Sequence, residues 1–151
     1  MSARHPSLPP DGFALGGPIG RISVSLRVMG GELDPAEVTR LLGVQPEIAA
    51  RKGDPVRRGD RMVAQRSGSW IYALDDGSSP ERDLDDAIAA LLCRLPADRA
   101  VWDDLGRRFR LDLFCGVFLG SPNQGCVLRP STLRLMADRG LTLSLDIYAA
   151  F

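Results

Sequence analysis

The sequence predicts an α+β fold: a four-stranded sheet, mainly antiparallel or mixed, with helices packed on one face and a ferredoxin-like general character. Residues 21–28 and 141–148 alternate apolar and polar side chains, the period of a half-buried strand. Between them, residues 84–95 repeat apolar side chains at the spacing of a helix with one buried side. These patterns indicate a sheet with one covered and one partly wet face, in the order strand, helix, strand, helix, strand, helix, strand.

The first strand leads through a glycine pair into a short helix with clear end signals. Asp34 is placed as the N-cap, with Glu37 three residues after it. Leu33 and Val38 are spaced to pack against each other across the helix start. Gly43 can adopt the left-handed conformation that ends a helix.

The middle of the chain is predicted to hold a long loop and a central strand. Residues 44–69 are interrupted by glycine and proline, and only residues 62–64 resemble a short strand. Residues 70–74 are apolar on both faces, as in a strand covered on each side.

Two helices are predicted next. The first opens near Ser78 or Ser79 and stops at Pro96, with a buried side formed by Leu84, Ala87, Ile88, Leu91, Leu92 and Leu95. The second is short, from Asp98 to Leu105, and is predicted to end at Gly106.

The last third of the chain is predicted to form a strand, a helix and a strand. The strand covers residues 109–119, and its far end is apolar on both faces. A helix then begins at Pro130 and stops at Gly140, with Leu133, Met136 and Ala137 pointing inward.

Composition fits one cytoplasmic domain. The 151 residues carry 19 basic and 19 acidic side chains, and a net charge of zero argues against a dedicated nucleic-acid binder. Residues 1–20 are rich in proline and glycine and are predicted to be a flexible tail, ahead of one domain over residues 21–151. No stretch is apolar and long enough for a signal peptide or a membrane span.

The residues used in common catalysis are absent from the predicted domain. The single histidine is His5, in the predicted tail, which excludes a Ser-His-Asp or Cys-His arrangement. Cys93 and Cys115 are predicted to be buried and inert, and Cys126 to be the most accessible thiol; together the three cysteines indicate a reducing compartment. Acidic pairs at 75–76, 85–86 and 103–104 are interpreted as a solvated face. We therefore predict no enzyme activity, no cofactor and no metal.

The strongest local charge lies in residues 51–66, which contain six basic residues and two acidic ones. The cations are Arg51, Lys52, Arg57, Arg58, Arg61 and Arg66. This loop is neutralised by the acidic residues 75–104, or binds a small anion or an acidic partner, or binds nucleic acid. In a small-anion receptor, Trp70 would form the apolar floor, and at least three of the arginines would converge on a concave site.

The polar sides of the strands form a second candidate surface. The residues predicted to project together are Ser23, Ser25, Arg27, Arg110, Asp112, Ser144, Asp146 and Tyr148. Arg27 with Asp112 or Asp146 would be an ordinary structural ion pair. The functional alternative is a face that docks a partner protein or a second copy of the chain, with Tyr148 and Phe118 as anchors.

Several short segments together resemble a known family. They are Ser23-Val24-Ser25-Leu26, Leu33-Asp34-Pro35, Leu41-Leu42-Gly43, Lys52-Gly53-Asp54, Trp70, Gly140-Leu141 and Leu145-Asp146-Ile147-Tyr148. In this order and spacing they resemble the bacterial domain-of-unknown-function family 4279, over about residues 21–148. The resemblance implies a small bacterial domain without an assigned activity, cofactor or catalytic residue.

These observations favour a non-enzymatic binding module that engages a protein partner, or a second copy of itself, through the sheet face or the basic loop. An immunity or regulatory role would fit. The alternative is a receptor for a small phosphate or carboxylate anion built on residues 51–66. A hydrolytic enzyme has the least support.

Overall fold

A computed structural model describes residues 20–74 and 83–149 of the chain. Within these ranges lie seven strands and four helices: β1 (Arg21–Gly30), α1 (Pro35–Leu42), β2 (Ile48–Ala50), β3 (Pro55–Arg58), β4 (Arg61–Ala64), β5 (Gly68–Ala73), α2 (Leu84–Leu92), α3 (Arg99–Arg108), β6 (Arg110–Phe118), α4 (Pro130–Asp138) and β7 (Thr142–Tyr148). The predicted tail up to residue 19 and the predicted helix opening at Ser78 or Ser79 fall outside the described residues.

The main sheet has five strands in the order β2-β5-β1-β6-β7. Strand β1 lies at its centre and is antiparallel to both neighbours, while β6 and β7 are parallel and are connected through α4. The α+β class and the mixed sheet are confirmed. The four-strand count was wrong, and the strand order also departs from the expected ferredoxin-like character.

The predicted loop over residues 44–69 contains the missing strands. The short β2 pairs with the outer edge of β5, and the Glu47 amide donates to the Ile71 carbonyl at 2.8 Å. The other two strands form a separate β3–β4 hairpin. Three residues are too few for β2 to show an alternating pattern, which is why the sequence did not reveal it.

Helix α1 follows its sequence signals closely. The Asp34 carboxylate accepts from the Ala36 amide at 3.1 Å, and Gly43 ends the helix at φ 72°. Leu33 and Val38 are both buried, as the predicted contact across the helix start requires. Glu37 does not close a capping box, because both of its carboxylate oxygens accept from Arg108 at 2.8 Å.

The core lies between the four helices and one face of the sheet. Leu84, Ile88, Leu91, Leu92 and Leu95 are buried, which confirms the predicted inner side of α2. The two tryptophans also lie in this core, and each satisfies its indole N–H, to Thr39 for Trp70 and to Pro96 for Trp102.

Helix α3 runs further than predicted, through Gly106 to Arg108. Its last turn is tied down by Arg108, which bonds Asp104 one turn earlier at 3.0 Å and Glu37 of α1. The helix therefore continues through Gly106, although a glycine inside a helix costs about 1 kcal/mol relative to alanine.

Helix α4 is rotated relative to the prediction. Met136 is buried as expected, but Leu133 and Ala137 are exposed, and Thr132 and Arg139 are buried instead. The cause lies in α2: buried Asp85 accepts from the backbone amide of Arg129 at 2.7 Å and from its guanidinium at 2.8 Å. This long-range cap fixes which side of α4 faces the core.

Candidate functional site

The sheet face that points away from the helices carries the second predicted surface. We call it the open face, because no helix of the described residues packs on it. The strand registers place on it all eight residues predicted to project together: Ser23, Ser25, Arg27, Arg110, Asp112, Ser144, Asp146 and Tyr148. The alternating residues Val24, Leu26 and Val28 are buried on the opposite face.

At one end of the open face, three side chains form a row across three strands. Arg21, Phe118 and Tyr148 are direct cross-strand neighbours on β1, β6 and β7. The two rings stack with centroids 4.6 Å apart and planes within 4°, and the Arg21 guanidinium lies 4.0 Å from the Phe118 ring centroid. Tyr148 remains 45% exposed. The row therefore presents a preorganised aromatic and cationic surface to solvent.

Gly116 and Asp146 support this row. A Cβ at Gly116 would lie 2.7 Å from Ser23 Oγ and 3.3 Å from the Phe118 ring, so the missing side chain makes room for both. The Tyr148 hydroxyl donates to Asp146 at 2.7 Å. This hydrogen bond, with the nearby Asp146 charge, raises the pKa of Tyr148 above its ordinary value. The tyrosine therefore presents a neutral ring with a fixed orientation.

The centre of the open face is a polar network around Asp112, which is 3% exposed. Arg27 forms a two-pronged ion pair with this carboxylate, with Nε 2.7 Å from one oxygen, and Ser144 donates to the other at 3.0 Å. The Arg27 guanidinium also lies 4.3 Å from the centroid of the Phe114 ring. The hydrogen bond from Arg27 holds the pKa of Asp112 below its ordinary value, against the opposing effect of burial.

This network stabilises the sheet and offers little for a ligand to contact. Arg27 and Asp112 satisfy each other, which is the structural ion pair that the sequence suggested as one alternative. Arg110 is different, because its side chain is 74% exposed and its Nη2 lies 3.9 Å from Asp112, beyond hydrogen-bonding distance. Arg110 and Arg21 are therefore the exposed cations of the open face, one at each end of it.

The basic residues of the predicted loop site, residues 51–66, lie on a solvent-exposed hairpin and its base. Strands β3 and β4 are connected by a two-residue turn, Gly59-Asp60, with Gly59 at φ 62°. We call residues 55–64 the basic arm; Met62 is 64% exposed and Val63 36%. Apart from the β3–β4 pairing, the arm makes few contacts with other described elements.

The arginines of this region do not converge on one point. Arg58 and Arg61 are direct cross-strand partners and share one face of the arm, whereas Arg57 points to the other face. Arg51 is paired with Asp34 at 2.7 Å, at the N-terminus of α1. Trp70 is fully buried under α1 and cannot form the floor expected for a bound anion.

The acidic side chains of α2 and α3 do not neutralise the basic arm through direct contacts. Among the ion pairs of the described residues, none joins residues 51–66 to residues 83–104. One acidic pair is also less solvated than predicted, since Asp85 is only 4% exposed and binds Arg129. Asp75 and Asp76 lie outside the described residues.

The cysteines differ partly from the prediction. Cys115 is buried as expected, and burial raises its pKa to about 12, so it stays a neutral thiol. Cys93 is exposed, which corrects its predicted place in the core: α2 ends at Leu92, and the cysteine caps the helix. Cys126 is exposed, but partial desolvation and the charge of Asp83 raise its pKa as well. The raised pKa values of Cys115 and Cys126 argue against an activated thiolate at either residue.

Metal binding and membrane insertion are the remaining possibilities for residues 20–74 and 83–149. No group of three or more histidine, cysteine, aspartate or glutamate side chains there is arranged to hold a metal ion. No helix in the same ranges has both the length and the apolar character needed to cross a membrane.

Comparison with known proteins identifies the family. The family model described as "Domain of unknown function (DUF4279)" matches residues 20–150. The chain belongs to the DUF4279 family. The match covers the whole described sheet of this DUF4279 domain, so the resemblance drawn from short segments is confirmed. No curated protein and no solved structure matches the chain.

The sequence located the open face of the DUF4279 domain but missed two features of it. Arg21 was recognised only as a polar strand residue, and its position over Phe118 depends on the β1–β6 register. The basic arm was taken for a loop, although Gly59-Asp60 between two short strand-like segments is a recognised hairpin signal.

Proposed function

We propose that this DUF4279 domain is a non-enzymatic protein-binding module that engages an acidic partner protein through the open face and the basic arm. The observation that carries the proposal is the row of Arg21, Phe118 and Tyr148 on an uncovered sheet face. Tyrosine and arginine are the residues enriched among those that dominate the energy of protein interfaces. The proposal places the domain in the bacterial cytoplasm. An immunity or a regulatory role there would use such a surface.

Charge supports an acidic partner. Arg21 and Arg110 are exposed on the open face, and Arg57, Arg58 and Arg61 are exposed on the basic arm. Arg58 and Arg61 face each other across the hairpin, which is unfavourable unless an anionic group lies between or near them. Carboxylate side chains of a partner would supply that group with good geometry.

A receptor for a small anion on residues 51–66 has less support. Such a receptor needs at least three converging arginines, whereas Arg57 points away from Arg58 and Arg61, and Arg51 is already paired with Asp34. Trp70 is buried and supplies no floor.

Site-specific photo-crosslinking in cells tests the proposal. A photoreactive residue is placed at Thr142 on the open face, at Met62 on the basic arm, or at Leu133 on α4 as the control; all three positions are exposed. We expect Thr142 and Met62 to capture the same protein, one rich in aspartate and glutamate, and Leu133 to capture none of it. Capture through Leu133 alone, or of no protein at any position, would count against the proposal.

A further inference from the structure

Arg139 is a buried cation without an acidic partner in the described residues. It follows α4 directly, is 6% exposed, and forms none of the ion pairs found there. Its Nη1 donates to the Leu135 carbonyl at 3.1 Å, a favourable place for a cation at a helix C-terminus. Its buried Nε has no acceptor. The Nε–H is therefore a buried donor left without a hydrogen bond on a charged side chain.

A surface cavity of about 720 Å³ adjoins this arginine. Trp102, Gly106 and Arg107 of α3 line it, together with Arg139 and Gly140. The Trp102 ring centroid lies 5.7 Å from the Arg139 guanidinium, which gives the cavity an apolar wall. At Gly106, the one atom within 4 Å of an added Cβ is in Leu111, at 3.8 Å, so a larger side chain can be accommodated at this lining position.

We propose that the cavity binds a small organic anion through the guanidinium groups of Arg139 and Arg107. Arginine forks match the oxygens of carboxylates and phosphates. Arg107 is available for this role, because its side chain is 76% exposed and its contact with Asp104, at 3.4 Å, is long. Binding at this site is independent of the open face and of the basic arm.

A further lining residue narrows the chemistry of the ligand. Asp103 contributes a carboxylate to the same cavity and repels a bare anion there. A ligand with a hydroxyl or ammonium group beside its anionic group can donate to Asp103 while it accepts from Arg139. The site therefore fits a hydroxylated or amino-bearing carboxylate or phosphate better than a simple ion.

Titration of the full chain followed by NMR tests the site. The probes are glycolate and glycerol phosphate, each compared at constant ionic strength with its bare counterpart, acetate or inorganic phosphate. We expect saturable shifts of the Gly106 and Gly140 amides and no shift at Gly43, which ends α1. The hydroxylated probe should bind more tightly than its bare counterpart, and the stronger of the two pairs identifies a carboxylate or a phosphate ligand.

Three variants separate binding from folding. Arg139→Gln should weaken binding about tenfold, the usual effect of losing a charged hydrogen bond. Gly106→Met should fill the cavity and abolish the saturable shifts while helix propensity favours its fold. Arg134→Gln, an exposed position on α4, should change affinity less than about twofold. Absence of saturable shifts with all four probes, or equal binding in Gly106→Met, would overturn the proposal.

Discussion

Leu91→Asp is expected to abolish the cooperative folding transition. Leu91 is fully buried on the side of α2 that faces the core, and α2 contacts the central strand β1. The substitution removes a leucine of the hydrophobic core and puts a carboxylate among buried apolar side chains. The combined loss should exceed about 5 kcal/mol, which is enough to unfold a domain at the lower end of the usual range of stability. Circular dichroism during urea unfolding measures it.

Leu133→Asp is the matched control. The sequence pattern predicts Leu133 to point inward as well, but the structure leaves it 45% exposed. The same change there should cost less than about 1 kcal/mol, because the new carboxylate stays in water. Equal destabilisation of the two variants would mean that α4 is not rotated in the way that the Asp85–Arg129 contacts indicate.

Arg27→Ala is expected to destabilise the fold by about 3 kcal/mol, because it leaves the Asp112 carboxylate buried without its partner. Arg110→Ala is the control, since Arg110 is largely exposed and 3.9 Å from the same carboxylate; its effect should stay within about 0.5 kcal/mol. Urea unfolding at neutral pH measures both. Similar small effects in the two variants would show that the ion pair contributes little.

The free energy that the Arg27–Asp112 pair contributes to folding should change with pH in a definite direction. Arg27 lowers the pKa of Asp112 in the folded state, so the pair stabilises the fold above the unfolded value near pH 4 and this contribution is lost as the pH falls below it. In Arg27→Ala, burial raises the pKa of Asp112, and protonation then relieves the uncompensated charge. The stability difference between wild type and Arg27→Ala should therefore begin to shrink above about pH 4, as Asp112 becomes protonated in the variant, and should shrink further below about pH 4, as the ion pair of the wild type is lost.

The sequence predicts the open face well because its signal is local. Alternation along β1 is enough to separate buried residues such as Leu26 from face residues such as Arg27, whereas on β7 the predicted inward residues Leu145 and Ile147 are exposed. The capped ends of α1 were equally readable, from Asp34 to Gly43. These features depend on residues within one element, so they needed no knowledge of the tertiary structure.

Local sequence patterns did not predict the features that depend on long-range contacts. The rotation of α4 depends on Asp85, 44 residues before Arg129, and the last turn of α3 depends on Glu37. The parallel pairing of β6 with β7 also has no local signature. Arg139 was not singled out for the same reason, because its burial beside Trp102, 37 residues earlier in the chain, is set by tertiary packing.

The central claim is that an acidic partner protein binds the open face. The measurement that tests it most directly is the affinity of the crosslinked partner for charge-reversed variants. The double variant Arg21→Glu/Arg110→Glu reverses the two exposed cations of the open face, and Arg99→Glu/Arg134→Glu does the same on the helix layer, where both residues are also exposed. By titration calorimetry, we expect the first double variant to weaken binding more than about a hundredfold and the second less than about threefold. Equal affinities of the two double variants would contradict partner binding at the open face.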